Sequence, residues 1–138
     1  MNQVIPSSQS VIYVPVGTVV SVPVFGIYRH KAIVTDQYVD RKPLVIACSA
    51  KSGQVKEETW DAFAEGKDVT VEGHLGKLHP LAVLNRARTC LGKSYNVFFW
   101  NCEHFVFYAH GLEPHSPQLA LSGVIALLCF GVVAMAGR

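Results

Sequence analysis

Apolar and polar positions alternate in short runs through the first half of the chain and change to a helical period in the second. Val11–Val16 and Thr18–Phe25 read as two short strands broken at Pro15-Val16-Gly17. In the second of them Val20, Val22 and Val24 share a face. Pro23 has no amide hydrogen for a ladder, so that strand is expected at an edge or with a bulge. Gly26 marks a turn, and Ala32-Ile33-Val34, just after His30, predicts a third strand. The apolar run Leu44–Cys48 predicts a fourth, central one, and Lys51-Ser52-Gly53 turns the chain back into Gln54–Lys56. Glu57–Ala64 reads as a short helix with Trp60, Phe63 and Ala64 on one side. Asp68–Glu72 is a further strand and Gly73–Lys77 a loop. Pro80 opens a second helix and Gly92 stops it, with Leu81, Leu84, Arg88 and Leu91 at helical spacing between them. A third helix starts at Cys102 behind the turn-former Asn101 and ends near His110-Gly111. The pattern predicts an α+β domain, a small antiparallel sheet packed against helices.

The end of the chain departs from this pattern. Leu119–Gly137 is 19 residues without a charge, followed by Arg138. A helix of that length rises about 28 Å, close to the ~30 Å hydrocarbon core of a bilayer. The expectation is a hydrophobic, membrane-associated tail at 119–138; a buried core helix is the alternative, since three glycines interrupt the run. Glu113-Pro114-His115-Ser116-Pro117 reads as a stiff linker over 113–118. Residues 1–10 read as a flexible leader, polar and uncharged, without the features of a signal peptide. The expected organisation is therefore one domain over 11–112, with a leader before it and a linker and tail behind it.

Composition narrows the function classes. The 138 residues are 50% apolar and 16% charged, and the net charge of +2 is too small to make nucleic acid a main partner. Eleven of the 12 basic residues precede the tail, which favours a cytosolic domain. Cys48, Cys90, Cys102 and Cys129 form no C-x-x-C pair and no zinc-ribbon spacing, so reduced thiols are expected. His74 and His79 lack a third metal ligand nearby. No metal and no cofactor is implied.

The chemistry concentrates at Trp100-Asn101-Cys102-Glu103-His104-Phe105. A cysteine on the first turn of a helix faces free backbone N–H groups and the positive end of the dipole, both of which favour the nucleophilic thiolate. A base is then required, and His30 is the candidate. The plain alternative is that Cys102 is a small buried apolar residue. His104, two positions on, points about 200° away and reads as structural. Asn101 is a helix cap or an oxyanion donor, and Glu103 a charge matched to the dipole. Arg29, Lys31, Arg41 and Lys42 form a modest basic cluster. It is a solvated surface or a contact for anionic lipid headgroups or RNA phosphate.

Trp100-Asn101-Cys102-Glu103-His104-Phe105-Val106 resembles the NC box of the lecithin:retinol acyltransferase superfamily, the H-box/NC proteins. Tyr28-Arg29-His30-Lys31-Ala32-Ile33 resembles its H box, and the likeness runs on through Pro43–Ser49, Lys51-Ser52-Gly53, Asp61-Ala62-Phe63 and Ala87–Gly92. The resemblance implies a circularly permuted papain-like fold and chemistry through an acyl-thioester, with Cys102 as nucleophile and His30 as general base. It also implies a second histidine that orients the first, and there the chain departs. Ala47 stands at that place in Leu44-Val45-Ile46-Ala47-Cys48-Ser49, so the third member of the triad is absent unless Cys48 or Ser49 replaces it. An unoriented imidazole weakens a triad by orders of magnitude.

The eroded triad, short length and apolar tail resemble the picornaviral 2A proteins of the H-box/NC type. The expected function is accordingly that of a viral protein of genome replication at intracellular membranes in the host cytoplasm, with thiol chemistry weak or lost. Its expected partners are membrane lipids, host or viral replication proteins and, more remotely, RNA. The alternative is an active membrane-tethered phospholipase A or phospholipid acyltransferase; a thiol protease is permitted by the Cys/His pair but nothing in the chain suggests a peptide groove.

Overall fold

The computed structural model describes residues 2–123. Its strands are β1 (Gln3–Ile5), β2 (Val19–Phe25), β3 (Tyr28–Val39), β4 (Lys42–Ser49), β5 (Gln54–Glu58) and β6 (Val69–Gly73). They form one open antiparallel sheet in the order β1-β6-β2-β3-β4-β5. Helices α1 (Trp60–Ala64), α2 (Pro80–Thr89) and α3 (Cys102–Ala109) pack on it, and residues 117–123 are also helical.

Side chains on successive strand residues point to opposite faces, and both faces of this sheet are covered. Val20, Val22, Ala32, Val34, Val45 and Ala47 line one face, under Trp60, Phe63 and Ala64 of α1. Val19, Ile33, Ile46, Cys48 and Val55 line the other, under Val83, Leu84 and Ala87 of α2 and Phe105, Val106 and Ala109 of α3. Burial on both sides explains why β2 and β4 read as apolar runs. The β3–β4 turn places Asp40 at φ 51° and Arg41 at φ 63°. Two successive left-handed residues match the right-handed twist of the flanking strands.

Several elements differ from the sequence reading. His30 lies inside β3, which starts at Tyr28. Val11–Val16 is not a strand; Ile12 and Val14 are buried against the α1 side of the sheet, and Ile12 N–H donates to the Arg41 carbonyl at 3.0 Å. The expected leader supplies strand β1, because Ile5 is an apolar anchor that pairs with Val69. Glu57 and Glu58 pair with Ile46 and Val45 in β5, so the first helix starts only after Thr59, which caps it. β2 is interior, and its proline is tolerated because β6 pairs only as far as Ser21 and a bulge separates Pro23 from Phe25. β4 is second from the edge.

The expected architecture of a small sheet with a hydrophobic C-terminal segment is corrected. The sheet is six-stranded and open, and no helix among the described residues is long and apolar enough to cross a membrane. The helical stretch at 117–123 returns to the domain, because polar groups at 116, 118 and 122 find polar partners on it. Residues 124–137 of the expected apolar run lie outside the described residues.

Candidate active site

The start of α3 is fixed by a reciprocal cap. Asn101 Oδ1 accepts from the N–H groups of Glu103 (2.9 Å) and His104 (3.2 Å), and His104 Nδ1 accepts from Asn101 N–H at 3.1 Å. His104 therefore closes the capping box and Asn101 is the cap. With two orphan amides taken, Cys102 stands as the first helical residue, half-buried at the end of the sheet.

The thiol is held in its protonated form. Burial raises its pKa above the ordinary thiol value; hydrogen bonding from the Lys31 backbone opposes this, the Glu103 carboxylate adds to it, and the Lys31 charge opposes it again. Cys102 Sγ lies 3.9 Å from the Arg29 carbonyl oxygen. Glu103 is itself buried, at 2% exposure. Its Oε1 accepts from Ser116 Oγ and Gln118 N–H, both at 2.8 Å, and its Oε2 lies 3.7 Å from Lys31 Nζ, which also bonds Glu72 at 3.0 Å. A charge expected to answer only the helix dipole is thus an anchor for the residues that follow the domain.

His30 faces the α1 side of the sheet, opposite Val22 in register and in step with Ala32. Its ring lies 5.3 Å from that of Phe63. Burial lowers its pKa to about 4, with Glu65 raising it and Lys67 lowering it in smaller measure. The imidazole is neutral near pH 7 and can take a proton. Ala47 pairs with Ala32 and is 3% exposed, among apolar neighbours of that same face. Ser49 is one in-face step further along β4, but its hydroxyl is bonded to Ser52 Oγ at 3.0 Å. Cys48 points to the other face, where burial pushes its pKa up to about 12 and its Sγ meets the Trp100 carbonyl at 3.5 Å. Neither takes up the orienting role.

Cys102 and His30 reach a common cavity although they approach it from opposite faces. The β3–β4 ladder stops at Ala32↔Ala47, and the residues beyond it on the two strands line a cavity of about 1060 Å³. Cys102, His30, Phe63, Tyr95, Gln118 and Leu119 are among its walls. That volume lies just above the ~300–1,000 Å³ usual for small-molecule sites. Among the described residues the sulfur and the imidazole are not hydrogen-bonded to each other; the thiol lies against the Arg29 carbonyl and the Lys31 backbone.

The basic cluster is not assembled. Arg29 is tied to Ser21 and Thr70, Lys31 to Glu72, and Lys42 to Asp61 at 2.9 Å, while Arg41 lies in the β3–β4 turn. His74 bonds the Leu78 carbonyl at 2.8 Å and His79 caps α2 through Leu81 N–H. Cys48, Cys90 and Cys102 are free thiols. Sequence reasoning missed Glu103 as an anchor and Gln118 altogether. A carboxylate inside an apolar helix was a signal for the first; nothing local marks the second.

A protein-family model, lecithin retinol acyltransferase, matches residues 11–112, which hold the capped cysteine, His30 and the β-sheet that positions them. The chain belongs to the lecithin retinol acyltransferase family. The lecithin retinol acyltransferase of Homo sapiens is 33% identical over 90 residues, and that of Bos taurus 34% identical over 91. Each match covers 61% of this chain and 39% of the relative, so the chain spans about two fifths of the length of these curated relatives. No solved structure matches. The lecithin retinol acyltransferase match ends at 112, and Ser116 and Gln118 lie beyond it.

Proposed function

We propose that the protein is a thiol acyltransferase or phospholipase A acting on phospholipid esters at a lipid surface, through an acyl-thioester on Cys102. The observation that carries this reading is the shared cavity: a thiol at a capped helix start and a neutral imidazole open into one space of about 1060 Å³. The relatives, named as lecithin retinol acyltransferases, support it. In the reaction His30 accepts the Cys102 proton and the thiolate attacks the ester carbonyl carbon. The cap engages the N–H groups of Glu103 and His104, which leaves that of Cys102 to donate to the developing oxyanion. Collapse breaks the ester C–O bond, and the leaving alkoxide takes the proton back from His30. Water or an acceptor hydroxyl or amine then attacks the thioester, giving hydrolysis or acyl transfer, and Cys102 is restored. The reaction requires Sγ and the imidazole to close to hydrogen-bond distance.

Ala47 favours a second reading. Without an orienting partner for His30, the domain would serve as an H-box/NC scaffold without acyl transfer, in the manner of the picornaviral 2A branch of viral replication proteins. Fatty-acid release from phosphatidylcholine vesicles separates the two. The first reading expects release that falls by at least about 100-fold in Cys102→Ser and in His30→Asn. Release by the wild-type protein no greater than by Cys102→Ser would support the second.

A further inference from the structure

Residues 116–122 bind back onto the site through a continuous set of hydrogen bonds. Ser116 Oγ and Gln118 N–H both donate to the buried Glu103 carboxylate. The Gln118 side chain then grips one peptide of β3: its Oε1 accepts from Arg29 N–H at 2.6 Å and its Nε2 donates to the Arg29 carbonyl at 3.0 Å. A neighbouring strand would make the same pair of bonds, and the amide takes the place that β4 leaves when the ladder ends at Ala32↔Ala47. Tyr28 and Ser122 are joined through their hydroxyls, and Ser122 Oγ also donates to the Gln118 carbonyl at 2.9 Å. The Arg29 carbonyl that Gln118 holds is the group that Cys102 Sγ touches.

We propose that Gln118 is a positioning residue and that 116–122 is a releasable latch on the Cys102 site. Latched, it fixes the Arg29 carbonyl against the sulfur and keeps the cysteine at rest; released, it frees that carbonyl and admits water to the thiol. The latch regulates the site on which the proposed acyl transfer rests. A carbonyl oxygen beside a thiol accepts its proton and repels the thiolate, so the contact favours S–H. The other groups around the sulfur are the Glu103 carboxylate on α3, Lys31, Arg29 and His30 on β3, Cys48 on β4 and Tyr95 on the approach to α3; Glu72 of β6 holds Lys31. Burial and the Glu103 carboxylate also disfavour the thiolate, while the backbone N–H groups of Lys31 and Glu103 and the Lys31 charge favour it.

The test is the pH profile of iodoacetamide alkylation of Cys102 in the full chain, without lipid, with the labelled cysteines identified by peptide mass. Gln118→Met keeps the length of the side chain and removes the paired bonds. It is expected to lower the alkylation midpoint by about one pH unit and to speed alkylation at pH 7 by about three- to ten-fold, with Cys48 and Cys90 unlabelled. Gln118→Glu keeps the acceptor but adds a negative charge, and its midpoint is expected to stay at or above the wild-type value. Tyr28→Phe, which loosens only the far end, should move the midpoint in the same direction as Gln118→Met by less. An unchanged midpoint in Gln118→Met overturns the proposal, as does equal labelling of Cys48, Cys90 and Cys102, which would report general loosening. Because no acyl donor is present, the latch and the acyl-transfer chemistry can each fail without the other.

Discussion

His30 and Cys102 share a cavity, the imidazole neutral and able to take a proton and the thiol still protonated. His30 carries a pKa of about 4 against an ordinary 6.5, chiefly through burial. Above pH 6.5 the imidazole is neutral in both the folded and the unfolded chain, and the full stability is present. As pH falls from 6.5 towards 4 the unfolded chain binds a proton that the folded one excludes, so stability drops across that window. Urea midpoints measured from pH 7 to pH 4.5 should therefore fall less steeply in His30→Gln than in the wild type. Equal slopes would show that His30 does not contribute. The Cys102 motif and His30 were legible in the sequence because the local patterns around them are distinctive. Their approach from opposite faces of one sheet was not, since it depends on where the β3–β4 ladder ends. Glu103 and Gln118 escaped for the same reason: their roles are made by partners 13 to 89 positions away.

Among the elements, α3 is the one the site depends on, and its start rests on one side chain. Asn101→Ala removes the acceptor for two helix amides and should destabilise the protein by about 1–2 kcal/mol, read from urea unfolding. Asn101→Ser, which can still cap, should recover most of that loss. An unchanged midpoint in Asn101→Ala would mean that packing by Phe105 and Val106 alone holds the helix start. The helices were readable because caps and breakers act locally: Pro80 starts α2, and the apolar spacing after Asn101 gives α3. Strand limits were less so. β3 extends to 12 residues because it is paired by β2 at its start and β4 towards its end, and Glu57 and Glu58 are strand residues only because β4 offers them a ladder. Pairing between distant segments fixes those limits, and the periodicity of one segment does not contain it.

At the level of the whole molecule, a six-stranded sheet with α1 on one face and α2 and α3 on the other brings thiol, imidazole and cavity to the end where β3 and β4 separate. The family was readable from the two motifs, and the family match over 11–112 shows it. The return of 116–122 onto the domain was not readable, because an apolar run behind two prolines gives no sign that its polar members have partners in the site. The central claim is that Cys102 carries an acyl group. It is tested most directly by intact mass of the reduced protein under single-turnover conditions with phosphatidylcholine vesicles. The account predicts one added fatty-acyl group that maps to Cys102, is released by neutral hydroxylamine, and is absent from Cys102→Ser. No adduct, with Cys102 shown to be reduced and open to alkylation in the same sample, would contradict it.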